Sequence, residues 1–413
     1  MNQLTSEQAQ ALWSAGGFLV FDGLSEGSEF GIDGSINIIR KFSGIKFLPP
    51  GMHLITWLPT SSASSSTTGP ASPAGPAGPA GIPIRSGIIR YTKPKERFVI
   101  RYDSQSEHTE VQLDVVISDD RLKSLDGEMA PYPFDHLERW KSLTSHITEE
   151  TIIQVIGGNN RVINGLIEVE GEEEDSVDRR KGNTNQGDEN STGGNGDKLN
   201  FVRFNLKKSW RDGAIGEEVT RYSKDKSWLL GDVVERQLGG DPIKLISQLQ
   251  LSFILLLHLS SYSALLVYKR ILTLLCQSTA ILYTPSEYSS SSTSQKEVQE
   301  TFVSLVDTLA SQIQAIPDGT FDTELPELDV FYLDQIDSMR KNLSGGISIS
   351  KDSDKWDENA REKLGSSWTK LKEAGKPWGW EIGDLSIDQV GQNSDDDEES
   401  EEEGEYAPVI VEM

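Results

Sequence analysis

Short apolar runs separated by glycines fill residues 18–58: "FLVF", "INIIRKF" and "IKFLPPGMHLITW", dominated by β-branched and aromatic side chains. Helical spacing is absent, so the pattern predicts strands and hairpins. "GIIRY", "RFVIRY" and "VQLDVVI" continue it after an interruption from Thr60 to Pro83. That interruption, rich in Gly, Pro, Ser and Ala, has too few Gly-x-y triplets for a collagen helix and reads as a flexible loop between two strands. "PYPFDHLERWKSLTSHITEETI" then predicts an irregular turn and a helix with Leu137, Trp140 and Leu143 on one side.

Between Glu168 and Lys198 apolar residues almost vanish, and acids give way to Gly, Asn and Asp, the composition of a disordered linker or long loop. "LNFVRFNL" follows as a strand or docking segment, and then the period becomes helical. One long apolar stretch starts at Asp241, a candidate N-cap, with Pro242 at the first helical position; Ser260 and Ser261 mark a turn between two antiparallel helices. Phe302, Leu305, Val306, Leu309, Ile313 and Ile316 define another buried face. "LDVFYLDQIDSMRKNLSGG" is expected to close at Gly345 and Gly346, and a last helix covers 356–373. The expected fold class is therefore α+β. A β-rich, sandwich- or barrel-like domain spans 1–167, with its flexible loop at 60–83. The linker 168–198, an all-α helical domain over 199–390 and a disordered acidic tail over 391–413, ending in a strand, complete it.

Charge sharpens this division. The formal net charge is −26, and residues 391–413 alone hold 10 acids and no bases, while 168–198 hold 10 acids and 4 bases. The remainder is mildly acidic, which gives no electrostatic footprint for nucleic acid or anionic membranes. The single cysteine, Cys276, leaves no internal disulfide. "MNQLTSEQAQALW" lacks a basic stretch followed by an apolar core, so secretion is not expected. The apolar stretch 249–267 carries Gln250, His258 and serines and is expected to be a buried helix pair rather than a membrane span.

Reactive constellations are scarce. Five histidines and one cysteine show no clustered ligand spacing, and no nucleophile elbow, phosphate loop or zinc-binding helix is present. The glycines of "FDGLSEGSEFGIDGS" precede strand-like sequence rather than a helix, and Asp22, Glu26, Glu29 and Asp33 would repel a phosphate; tight turns are expected there. His258 is expected to be a satisfied core histidine, and Trp368, Trp378 and Trp380 to pack in the core. No enzyme activity, cofactor or metal is expected.

Several stretches, taken in order, resemble one family. "EGSEFGID" followed by "FSGIKFLPPGMHLITW" is similar to the N-terminal hallmark of the Aar-two proteins, the A-one cistron-splicing factors. Its matching positions are Gly27, Glu29, Phe30, Gly31 and Asp33, then Pro50, Gly51 and His53, with Ser28 where threonine is usual. "PYPFDHLERWKSLT" matches a second segment through Pro131, Tyr132, Pro133 and Trp140, the helical hairpin resembles the family's central pair, and "APVIVEM" resembles its C-terminal tail. The Gly-Pro-Ala loop, the Gly-Asn linker and the length of the acidic run depart from the pattern.

The resemblance implies an assembly factor without catalytic activity, a monomer before complex formation, shared between cytoplasm and nucleus. Such proteins bind the large Prp-eight scaffold of the U-five small nuclear ribonucleoprotein (snRNP). They engage its RNase H-like domain, and their tail bridges it to the Jab-one/MPN domain as an added strand, holding off the helicase that unwinds the U-four/U-six duplex. In this chain the tail positions are Tyr406, Ala407, Pro408, Val409, Ile410, Val411 and Glu412.

The residues supply a physical basis for such a strand. Pro408 has no N–H and suits a strand's first residues, and Val409 and Val411 share one side with Ile410 on the other. The acids from Asp395 to Glu405 repel one another and keep the tether extended. Two sheet edges are open to it: a partner's, or that of the chain's own β-domain. Ser394 and Ser400 precede acidic runs and are candidate phosphorylation sites whose added charge would act on docking, or plain surface serines. Two rival functions remain: an adaptor that binds peptides in a helical groove, and a hydrolase acting through Asp22, Asp33 or His53.

Overall fold

The structure is a computed structural model and describes residues 13, 15–60, 84–112, 116–169, 198–284, 294–349 and 356–385. Strands β1 (Gly17–Asp22), β2 (Glu29–Ile32), β3 (Ser35–Ile38), β4 (Gly44–Leu48), β5 (Gly51–Leu58), β6 (Ser86–Thr92), β7 (Arg97–Asp103) and β8 (His108–Gln112) come first. Helix α1 (Asp119–Leu125), β9 (Met129–Pro131), α2 (Leu137–Thr144), α3 (Glu149–Ile156) and β10 (Val162–Asn164) follow. The helical region holds α4 (Glu217–Lys224), α5 (Ser227–Leu238), α6 (Ile243–Leu259), α7 (Tyr262–Cys276), α8 (Gln295–Ala315), α9 (Glu327–Ile349) and α10 (Glu358–Gly375). This is the expected α+β order, a β-sandwich followed by helices.

Two five-stranded sheets form the sandwich, in the orders β8-β7-β1-β4-β9 and β10-β6-β5-β2-β3. The first is mixed: β1 runs parallel to β7 and β4 parallel to β9, while the second is antiparallel throughout. Leu19, Phe21, Phe98 and Ile100 from the first sheet meet Phe30, Ile32, Ile55, Trp57 and Ile88 from the second in one closed core. Period-two alternation sends Phe18, Val20 and Val99 the other way, against Leu122 of α1 and Met129. By the same alternation Met52, Leu54, Ile89 and Ile163 leave the second sheet on its outer face and join the helical core. The molecule is thus layered as helix, sheet, sheet, helices, and the second sheet is covered on both faces except at β3, where Ile36 and Ile38 stay exposed on the helix side.

Local sequence accounts for most boundaries. Asp33 and Gly34 both have positive φ, 52° and 81°, the Asp-Gly turn that closes a two-residue hairpin between β2 and β3. Ser260 ends α6 at φ 54°, and the Ser261 side chain caps α7 by accepting from the Ala264 N–H, which is the expected helical hairpin. Ser294 and Glu297 form a reciprocal capping box at the start of α8. The cap expected at Asp241 is shifted by one: Pro242 takes the cap position, the helix starts at Ile243, and Asp241, the residue before the cap, accepts from the Ile243 N–H at 3.1 Å.

Other boundaries also differ from the sequence reading. Among the described residues the "VQLDVVI" strand covers only Val111 and Gln112; 113–115 lie outside them, and Val116 is 91 % exposed. Helix α9 continues through Gly345 and Gly346 to Ile349, because buried Met339 and Leu343 anchor it and no left-handed residue interrupts it there. Of the two readings of "LNFVRFNL", the docking segment is the one observed: Leu199 makes one bridge to Val169, and Phe201 and Val202 are buried in the helical core. The stretches 61–83 and 170–197 and the tail 391–413, with Ser394, Ser400 and Tyr406 to Glu412, lie outside the described residues.

Candidate functional site

The motif residues spread over the first half of the sequence converge where the second sheet meets the helices. The β2–β3 turn places the Asp33 carboxylate beneath β5, where Oδ1 accepts from the Leu54 N–H at 2.9 Å. The Asp33 N–H returns a 2.9 Å bond to the Leu54 carbonyl, so turn and strand are pinned reciprocally. Asp33 Oδ2 accepts two further bonds of 2.6 Å, from His53 Nδ1–H and from the Tyr132 hydroxyl. His53 Nε2–H donates to the Pro49 carbonyl at 2.8 Å.

Tyr132 donates to Asp33 and the Pro49 carbonyl can only accept, so His53 Nε2 carries a proton, and the upward shift of the His53 pKa favours the protonated ring facing Asp33 through Nδ1. Burial lowers the His53 pKa, but the Asp33 charge, the Asp33 hydrogen bond and the Pro49 carbonyl together outweigh it and the net shift is upward. Burial first, then the Asp33 charge and hydrogen bond, push the Tyr132 hydroxyl far above its ordinary range. Asp33, His53 and Tyr132 are all at most 4 % exposed.

Around this node the remaining motif residues have structural tasks. Trp140 donates its indole N–H to the Met52 carbonyl at 2.8 Å. Gly31 sits in β2 where an added Cβ would collide with Thr56 Oγ1. Gly27 turns at φ 88° and bonds the Ile39 carbonyl, Gly51 enters β5 at φ 134°, and Phe30 is core. Glu29 pairs with Arg85 at 2.7 Å, and Ser28 is buried with its hydroxyl accepting from the Thr60 N–H. Pro50 is exposed at the β4–β5 turn, Pro131 is exposed on β9, and Pro133 introduces the 3-10 turn Phe134–His136.

The geometry argues against the hydrolase reading. Asp22 and Asp33 do not form an acid–base pair, since Asp22 bonds Arg121 at 3.2 Å. Asp33 and His53 do meet, but neither His53 nitrogen is free to take a proton from a nucleophile or water. Among the described residues no group of three or more His, Cys, Asp or Glu is placed to hold a metal ion. The tryptophans pack as expected: Trp368 donates to the Gly383 carbonyl at 3.0 Å, Trp380 to Asp329 at 2.5 Å, and Trp378 lies edge-on to Phe321. Lys370, Lys372 and Lys376 are each paired with an acid, Asp307, Asp384 and Glu373. No single described helix is long and apolar enough to cross a membrane.

One residue departs from its sequence reading. His258, at the end of α6, lies under Gly34, and its Nε2 is buried without a hydrogen-bond partner, so it is not a satisfied core histidine. Burial, opposed by the Asp33 charge and assisted by Arg139 and Arg85, pulls its pKa down to about 4. It borders a cleft of about 220 Å³ that Ile36, Arg139, Trp140, Leu257 and Pro317 also line. Sequence pattern gave no signal for this cleft, because its walls come from four segments brought together only by folding.

Such a molecule is a two-part scaffold: a sandwich that carries a sealed polar node and packs the outer face of its second sheet on a helical body. A family model described as the AAR2 N-terminal domain matches residues 15–157, and one described as the AAR2 C-terminal repeat region matches residues 201–383. Proteins named "Protein AAR2 homolog" are similar: that of Mus musculus is 25% identical over 341 residues, 77% of this chain and 81% of its own length. That of Homo sapiens is 25% identical over 68% of this chain and 74% of its own length, and that of Caenorhabditis elegans 31% identical over 37% of this chain and 38% of its own length. The chain belongs to the AAR2 family.

Proposed function

We propose that this chain is a splicing assembly factor that binds the large Prp-eight scaffold protein during U-five snRNP biogenesis, through its RNase H-like and Jab-one/MPN domains. The observation that carries this reading is family membership across both halves of the chain. The folded body presents the tail, and Tyr406 to Glu412 adds a strand to the partner's sheet edge, main-chain bonds supplying affinity and alternate side chains the register. Occupancy of the scaffold delays helicase and RNA engagement, and the protein works in cytoplasm and nucleus without binding nucleic acid itself. Phosphorylation of Ser394 or Ser400 would tune release by adding about 1.5 to 2 negative charges per site beside the strand.

Calorimetry tests this directly, comparing the full chain with a chain ending at Gly404 against a purified fragment holding both partner domains. Tight binding by the full chain and sharp weakening on truncation is expected. Equal binding would move the interface to the folded body, and no binding by either would remove the scaffold as partner.

One observation favours a second reading, the helical-groove adaptor. Phe253, Leu256, Leu257, Tyr262, Leu328 and Tyr332 line an apolar cleft of about 270 Å³ between α6, α7 and α9. Tyr262 is 68 % exposed at its rim, so Tyr262→Glu leaves the core intact and would abolish partner binding only if this groove carried it.

A further inference from the structure

The two sheets have four outer edges, β8, β9, β10 and β3. β8 is flanked by Asp103, Glu107 and Glu110; β9 is three residues long and ends in Pro131; β10 leads into Gly165, which is pressed against the Leu259 carbonyl. β3 differs. Ile36 and Ile38 are 42 % and 71 % exposed, and among the described residues no strand pairs with its outer edge. An open edge carrying two large aliphatic side chains is a liability unless something covers it.

Backbone polarity along β3 is set by its partner. Ile39 gives its N–H to the Ser28 carbonyl and takes the Gly27 N–H, both on the β2 side. Antiparallel alternation then turns the N–H and C=O of Ile36 and Ile38 outward. Their side chains lie on the helix-facing side of the sheet, since Ile36 leans over Gly31 and lines the cleft with Leu257 and Pro317. Just beyond the strand come Arg40 and Lys41, both exposed, Lys41 paired with Glu128 at 3.2 Å, while the one acid on β2 beside Ile38, Glu29, is paired with Arg85.

We propose that the chain's own segment Tyr406–Glu412 caps β3 as an added antiparallel strand when no partner holds it. This rests on the reading of that segment as a docking strand and adds its regulation: the cap and the partner compete for one strand. Antiparallel entry sets the acidic run that ends at Glu405 beside Arg40 and Lys41. Val409 then faces Ile38 and Val411 faces Ile36, each exchanging both main-chain bonds, while Pro408 and Ile410 fall at positions that need none from this edge. A Pro at the bonding positions would leave a gap; here it does not. Val409 and Val411 join Ile36 and Ile38 on the cleft side. Residues 386–405 span up to roughly 65–70 Å when extended, more than a folded body of this size requires.

Hydrogen exchange at the Ile36 and Ile38 amides, in the full chain and in a chain ending at Gly404, tests the cap. A tether of this length gives an effective concentration of about 1 mM, so a strand that binds with a Kd near 0.1 mM slows exchange about tenfold. The truncated chain should lose that protection, and a Gly404–Met413 peptide added in trans should restore it. Equal exchange in both chains overturns the cap. Protection that grows with protein concentration also overturns it, in favour of a second copy on β3. Ile38→Glu, at an exposed position, should abolish peptide binding while thermal unfolding stays unchanged. In the full chain it should raise affinity for the RNase H-like and Jab-one/MPN fragment up to about tenfold. If that affinity is unmoved while truncation still abolishes it, the cap fails and the partner-strand reading stands. If truncation unprotects β3 but leaves partner binding unchanged, the cap stands and the partner-strand reading fails.

Discussion

Trp140 on α2 donates its indole N–H to the carbonyl of Met52 on β5, 88 residues earlier, at 2.8 Å. The bond ties α2, which packs into the helical core, to the outer face of the second sheet, on the same strand whose inner face carries His53. Trp140 is 3 % exposed and its ring also approaches His258.

Trp140→Phe keeps most of the ring but leaves the Met52 carbonyl without this donor. A buried carbonyl stripped of its partner costs about 1–3 kcal/mol, and Trp140→Ala adds a cavity and should cost about 3–5 kcal/mol. Urea unfolding of both variants checks the order; equal midpoints for wild type and Trp140→Phe would show that the bond contributes nothing.

The Asp33–His53 pair gives stability a pH signature. The folded-state pKa of His53 is raised, so its contribution is fully present below the ordinary histidine value near 6.5 and is lost as pH rises through the folded value. His53→Gln should therefore be most destabilised at pH 6 and lose the wild-type decline above pH 6.5. Asp33→Asn strands a buried imidazolium and should cost about 3–5 kcal/mol at pH 6, with less effect at high pH. Denaturation curves from pH 6 to 9 separate the two variants.

His258 titrates with the opposite sign. Its pKa is lowered to about 4, so below the ordinary value near 6.5 the unfolded chain takes up a proton that the folded chain refuses. Stability should fall by about 3 kcal/mol as pH drops from 6.5 to 4, at about 1.4 kcal/mol per pKa unit. His258→Leu should flatten that slope; a slope identical to wild type would place the pH dependence on other groups.

Gly34 is held by two constraints at once. Its φ is 81°, and a Cβ would meet His258 Cε1 at 2.9 Å. Gly34→Ala should destabilise by about 1–3 kcal/mol. Combined with His258→Ala, which removes the collision and leaves the turn strain, the total loss should be less than additive. Strict additivity in a double-mutant cycle would mean that the two sites do not touch.

Much of this was legible in order along the chain. Glycine-punctuated β-branched runs announced the sandwich, and the Asp33-Gly34 dipeptide its hairpin. The spacing of Phe302, Leu305, Val306, Leu309 and Ile313 marked one helix face, and all of them are buried. These signals are local, because side-chain period and turn chemistry act within a few residues. The helix break expected at Gly345 failed for a related reason: glycine only weakens a helix by about 1 kcal/mol, and the packing of Leu343 and Met339 overrides it.

The sequence by itself determined the β-then-α order, the caps and turns, the composition of the tail and the family motifs. Tertiary structure alone decided that Asp33, His53 and Tyr132, up to 99 residues apart, form one closed charge node rather than an active site. Among the described residues it also left His258 Nε2 without a hydrogen-bond partner and the outer edge of β3 unpaired. Those outcomes depend on which faces meet when sheet and helices pack, and a one-dimensional pattern specifies each face without specifying what it meets.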